Sequence, residues 1–247
     1  RQTLAALRHP NIARLVDGGQ REDGRPWLAM ELIEGETLDR HCVTHDLPLR
    51  ERIRLFLDVC DAVIYAHARG VLHRDIKPSN VMVDADGRAK LLDFGIAALA
   101  DTTEDAAPVA FTPGFASPEQ RRGEAATVAG DIYQLGALLA ALLSRDANEH
   151  RTVLGRVGSA AAAVIAPASL PHDLRCIVQR AMADMPDARY ATVVALKIDL
   201  QAFLSMRPIA ARRREPLHVL GRWVARHRAA TAVSALIETM IFFIRFL

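Results

Sequence analysis

The side chains best suited to chemistry crowd into one octapeptide, His73-Arg74-Asp75-Ile76-Lys77-Pro78-Ser79-Asn80. A second carboxylate, in Asp93-Phe94-Gly95, stands 18 residues beyond Asp75, and Ala116-Ser117-Pro118-Glu119 follows. A carboxylate near a hydroxyl can accept its proton. The Lys77 ammonium offers a cation to an anionic group, while the Asn80 carbonyl and Asp93 carboxylate are hard oxygen ligands of the kind Mg²⁺ prefers. Each triplet alone has a plainer explanation, a solvated turn after a helix. In this order and at this spacing the three motifs outweigh it.

HRDxxxxN, DFG and an APE-like ASPE together resemble the signature of protein kinases. Pro78-Ser79-Asn80, Ala116-Ser117-Pro118-Glu119-Gln120 and a basic segment before an apolar tail are similar to bacterial membrane-anchored Ser/Thr kinases. The resemblance implies an α+β, protein-kinase-like fold with a mainly helical C-lobe and only the last part of the N-lobe. It also implies transfer of the ATP γ-phosphoryl group to Ser/Thr hydroxyls of a protein substrate, with ATP and Mg²⁺ as cofactors. Phosphoryl transfer needs little covalent help, so the protein must position the hydroxyl and neutralise phosphate charge. On that basis Asp75 would take the hydroxyl proton and Lys77 would face the transferring group, as in a Ser/Thr-specific member. Asn80 and Asp93 would hold the metal.

Other positions match the family one by one. Trp27 to Gly35 resembles the hinge strand, with Met30 as gatekeeper and the backbone of Glu31 and Ile33 bonding adenine. Met82 would lie beneath the adenine, or serve simply as core. Asp84-Ala85-Asp86-Gly87 resembles the turn between the strands that carry Asn80 and Asp93. Thr112 would link Asp75 and Lys77 and help seat the substrate. Glu119 and Arg189 match a buried ion pair fastening the end of the activation segment, and Asp131 matches the helix residue that holds the catalytic-loop backbone. Thr102 and Thr103, among Asp101, Glu104 and Asp105, form either a phosphorylation site read by Arg74 or a mobile acidic loop.

The chain also departs from the family. Its glycine-rich phosphate loop, strand lysine and helix glutamate are absent from this sequence, and the match of Leu4 to Ile12 would put the glutamate immediately before Arg1. The expectation is an N-terminally truncated member with little or no activity by itself. The alternative is a catalytically silent kinase-fold module for protein contacts; a small-molecule phosphotransferase of related fold is a third reading. Residues 147–170 match the usual substrate-side helix poorly.

These groups need a scaffold, and the apolar pattern supplies one. Ile12–Val16 and Trp27–Ile33 read as strands separated by a turn built from Gly18, Gly19, Asp23 and Gly24. Ile53, Leu57, Cys60 and Ile64 keep helical spacing between Pro48 and Ala68, and Asp131–Leu143, Leu174–Met185 and Thr192–Leu204 read as further helices. Short extended pieces fill the region from Val71 to Ile96.

With half of its residues hydrophobic and a quarter charged, the chain is of folded rather than disordered composition. Its net charge of +2 conceals a split: residues 1–204 hold 23 Lys/Arg against 27 Asp/Glu, whereas 205–228 hold seven Arg against one Glu. Cys42, Cys60 and Cys176 form no CxxC pair, which argues against a disulfide or zinc framework and for a reducing cytosol. Nor does an apolar run near the start suggest a signal peptide. The expected organisation is 1–33, N-lobe remnant and hinge; 34–204, C-lobe; 205–228, basic juxtamembrane segment; and 229–247, an apolar helix. That helix, interrupted by Glu238 and Arg245, would either span a membrane or lie on its surface. Arginines on its N-terminal side would leave the kinase body in the cytoplasm, anchored to the inner membrane. Nucleic acid is not an expected partner.

Overall fold

The computed structural model describes residues 7–21, 26–94, 114–143 and 170–212. Two antiparallel strands come first, β1 (Leu15–Gln20) and β2 (Pro26–Met30). Then follow β3 (Gly35–Thr37), α1 (Leu38–Thr44) and α2 (Leu49–His67). A 3₁₀ turn at Pro78–Asn80 leads into β4 (Val81–Asp84) and β5 (Ala89–Leu91). The later helices are α3 (Pro118–Arg121), α4 (Val128–Leu142), α5 (His172–Ala181) and α6 (Val193–Leu204).

The helices α2 and α4 build the core. On α2 the buried set Ile53, Phe56, Val59, Cys60 and Val63 recurs every three or four residues, which gives one face to the interior. Gly70, at φ +71°, ends this run in the left-handed conformation that glycine adopts freely, and Val71 N–H closes back on Ala66 C=O at 3.0 Å. The chain is thereby delivered to His73 only three residues later. Helix α4 is apolar on every side and is buried from Gly130 to its end, as a central helix must be. Its Gly136 allows the close approach of α5: a Cβ there would lie 2.6 Å from Met182 Cγ and 2.8 Å from Ala181 Cβ. Threonines cap α4 and α6, with Thr127 Oγ1 accepting from Gly130 N–H and Thr192 Oγ1 from Ala195 N–H.

β3, β4 and β5 form an antiparallel sheet in that order. Residues 11–13 join its free edge beside β5: Leu91 N–H donates to Asn11 C=O at 2.9 Å, and Ala13 N–H to Leu91 C=O at 3.0 Å. At the other end of the described chain, the Asp199 carboxylate accepts from Tyr190 Oη (2.8 Å) and from the N–H groups of Ala210 (2.6 Å) and Ala211 (2.9 Å). Arg212 pairs with Asp173 at 2.7 Å. Arg212, within the arginine-rich stretch, thus packs on the helical body.

The four expected helices, α2, α4, α5 and α6, stand where periodicity puts them, with ends shifted by up to four residues. The first strand differs more. It begins at Leu15, and Gly18 and Gly19 lie within it, opposite Leu28 and Trp27, instead of making the turn. The side chains of Leu28 and Trp27 fill the space a Cβ would need, at 2.7 Å from Gly18 and 2.9 Å from Gly19. Here glycine marks a close cross-strand approach. The three cysteines are free thiols; burial pushes Cys42 up to about 11 and Cys60 higher still. Among the described residues no helix is long and apolar enough to cross a membrane. Residues 229–247, Thr102, Thr103, Thr112 and most of 147–170 lie outside them.

Candidate active site

Asp75 sits on a loop whose backbone is bonded by side chains from α3 and α4. The Asp131 carboxylate, 2 % exposed, accepts from His73 N–H and Arg74 N–H at 2.9 Å each, and from His67 Nε2 at 2.8 Å. One turn further along α4, Gln134 accepts from Ile76 N–H (2.9 Å) and donates to Arg74 C=O (2.7 Å). Gln120, from α3, donates to the same carbonyl at 2.8 Å and accepts from Gln134 at 2.9 Å. Such density of bonds holds Arg74 at φ +74°, a strained conformation for a residue with a side chain.

His73 is the second brace. Its ring is buried and packs against Phe94, with centroids 4.7 Å apart. Asp75 N–H donates to Nδ1 at 3.3 Å, so Nε2 carries the proton and donates to Leu92 C=O at 2.8 Å. Burial holds the imidazole below its ordinary pKa, against the pull of Asp131. A neutral histidine therefore joins the loop carrying Asp75 to the residue preceding Asp93.

The three motif side chains meet at the open end of this frame. Lys77 Nζ lies 2.6 Å from Asp75 Oδ2, with the two side chains 23 % and 32 % exposed. Asn80 Nδ2 donates to Asp75 C=O (2.8 Å) and to Asp75 Oδ2 (3.2 Å), which turns Asn80 Oδ1 away as an acceptor. Leu92 N–H donates to Asn80 C=O at 2.8 Å, so Asn80 and Asp93 lie on adjoining backbone segments. Asp93 has φ +58°, a second left-handed residue in the site. A carboxamide oxygen and a carboxylate from adjoining segments fit a hard cation such as Mg²⁺.

The segment expected as the hinge continues from β2. Met30 ends that strand, and Glu31 N–H donates to Arg14 C=O at 2.9 Å. Glu31 is also tied to β5 by Lys90 Nζ at 2.9 Å. Met82 pairs with Thr37 on one side and Lys90 on the other. Because Val81 and Val83 are buried, alternation puts Met82 on the opposite face of β4.

Behind the site, Glu119 and Arg189 form a two-point pair at 2.6 and 2.8 Å. The guanidinium also donates to the carbonyls of Ala183, Asp184 and Ala129, so all five of its N–H groups are used. Burial works to raise the Glu119 carboxyl, but the bonds and charge of Arg189, together with bonds from the Glu119 backbone and Ser117, hold the group below its ordinary value.

Sequence reasoning missed Gln120, Gln134 and Lys90. For Gln134 a signal existed: a polar residue three positions after Asp131 on an otherwise apolar helix needs a buried partner. Gln120 also completes a reciprocal cap with Ser117.

Comparison with known proteins adds a family profile for the protein kinase domain, which matches residues 1–154. The chain is 34 % identical over 228 residues to serine/threonine-protein kinase PknB of Mycobacterium leprae, covering 84 % of this chain and 35 % of that protein. The PknB of Mycolicibacterium smegmatis is 36 % identical over 222 residues, covering 81 % of this chain and 34 % of its own length. A probable PknB of Bifidobacterium longum is 32 % identical over 250 residues, covering 92 % and 36 %. The chain spans about a third of the length of these curated relatives.

Proposed function

The chain belongs to the protein kinase family, and from that premise we propose that it carries the catalytic lobe of an ATP- and Mg²⁺-dependent Ser/Thr protein kinase. The observation that carries the proposal is the joining of Asp75, Lys77 and Asn80 on a loop bonded to Asp131. In the proposed reaction the acceptor hydroxyl oxygen bonds to the γ-phosphorus as the bond to the ADP oxygen breaks. Asp75 takes the hydroxyl proton, and Lys77 faces the transferring group. Asn80 Oδ1 and the Asp93 carboxylate would hold Mg²⁺, which when bound supplies charge neutralisation across the phosphates. The backbone of Glu31 and Ile33 would bond adenine, with Met30 as gatekeeper and Met82 beneath the ring. Thr112, outside the described residues, retains its proposed role in seating the substrate.

We further propose that the kinase body is cytoplasmic and held at the inner membrane by residues 229–247. The apolar run and the arginines before it support that reading. Fractionation of cells expressing the chain with and without this segment tests it; a soluble protein in both cases would sink it.

The reaction is tested by transfer of labelled γ-phosphate to a basic protein, using this chain and a version extended upstream by a strand lysine and glycine-rich loop taken from a PknB relative. We expect transfer by the extended version and little by these 247 residues alone, which lack both features. Asp75→Asn should cut it by about 10²–10⁴-fold. Mg-ATP binding without transfer in both proteins would instead favour a silent binding module.

A further inference from the structure

Away from the nucleotide residues, three side chains converge where β3 meets α1. Glu36 Oε1 lies 3.1 Å from His41 Nδ1 and 3.1 Å from His45 Nε2. All three atoms fall within 4.8 Å of one another. His41 and His45 stand on successive turns of α1 and its cap, with ring centroids 4.4 Å apart. The other carboxylate oxygen, Oε2, is held by Arg40 Nε and by Thr44 Oγ1, each at 3.5 Å.

We propose that Glu36, His41 and His45 form a site for a zinc-type transition-metal ion, separate from the Mg²⁺ site of the phosphoryl-transfer reaction. A tetrahedral ion with bonds of about 2.0–2.1 Å sets neighbouring ligand atoms roughly 3.3 Å apart. The two Glu36–histidine distances are close to that edge. Without an ion the two rings hydrogen-bond Glu36 Oε1; standing four residues apart at the end of α1, they have the spacing that presents two imidazoles to one ion. Thr44 and Arg40 fix the carboxylate from behind, the kind of outer support that orients a metal ligand. His45 is half exposed, so an ion can enter and water can complete its coordination. Two imidazoles and one carboxylate select Zn²⁺, Co²⁺, Ni²⁺ or Cu²⁺ over Mg²⁺ and Ca²⁺. A bound ion would tie β3, which pairs with the Met82 strand, to the last turn of α1.

The test is calorimetric titration of Zn²⁺ into the 247-residue chain with Mg²⁺ in excess. One Zn²⁺ should bind with a micromolar Kd, and His41→Gln and His45→Gln should each weaken it by about tenfold or more. Affinity unchanged in both variants, or no binding below the millimolar range, would overturn the site. Should either variant fail to fold, the unaltered chain decides by NMR. Substoichiometric Co²⁺ must then broaden the ring signals of His41 and His45 before those of the other histidines, and broadening elsewhere first would refute the assignment. This proposal does not rest on the kinase reading.

Discussion

Two acid–base pairs in this molecule share a closest contact of 2.6 Å: Asp75 with Lys77, and Glu119 with Arg189. Their surroundings separate them. The second pair is buried at 3 % and 0 % exposure, and every guanidinium N–H has a protein acceptor. The first is 32 % and 23 % exposed, at the open end of a loop whose backbone is bonded to the helices behind it. Contact distance alone therefore says little about role. A saturated buried pair holds the fold together, because breaking it strands a charge in a dry interior. A half-exposed pair on a rigid backbone can exchange partners with a substrate without unfolding anything.

The largest test of that contrast is Asp75→Asn. We expect phosphoryl transfer by the upstream-extended version to fall by about 10²–10⁴-fold, with the melting temperature of this chain almost unmoved. A large loss of stability would mean that Asp75 is structural after all. Arg189→Leu reverses the pattern: urea unfolding should show a loss of about 3–5 kcal/mol. A chain that tolerates it at under 1 kcal/mol would break the comparison. Asp131→Asn falls between the two. Its N–H₂ replaces one oxygen and so faces either Arg74 N–H, at Oδ1, or His67 Nε2 and His73 N–H, at Oδ2; this should cost about 1–3 kcal/mol by the same unfolding assay and loosen amide exchange at His73 or Arg74.

A pH series sharpens the distinction further. The folded pKa of His73 is lowered, so the unfolded chain binds the proton first as pH falls. Stability should be complete above the ordinary value of 6.5 and decline below it, by up to about 1.4 kcal/mol per pH unit for each such group. His9 is shifted the same way, with burial again its main cause, and adds to the slope. His73→Gln should flatten the curve in part. Glu119, also lowered, contributes only later: its stabilisation is present above its ordinary value of 4.5 and is lost as pH falls through the folded value. The smallest effect is expected at the Lys197–Asp61 bridge, whose side chains are 22 % and 38 % exposed. Lys197→Ala should cost no more than about 1 kcal/mol, a difference that salt should erase.

What the sequence determined by itself is the family signature and the long helices. His73 to Asn80 are contiguous and Asp93 follows 13 residues later, so spacing along the chain already constrains where they meet, and four helices announce themselves through apolar periodicity. Shorter elements were illegible: α1 spans seven residues and contains His41, Cys42, Val43 and Thr44, none a strong helix former. Gly18 and Gly19 carry the composition of a turn, and only the Leu28 and Trp27 side chains across the ladder explain them as strand. The tertiary structure alone decided which buried polar groups restrain the catalytic loop. Gln120 and Gln134 reach the Arg74 carbonyl from 46 and 60 residues away. Lys90 finds Glu31 from 59 residues away. A side chain's type dictates that, once buried, it must find a partner. Which partner it finds depends on how helices and strands distant in sequence pack together, and local sequence patterns carry no record of that.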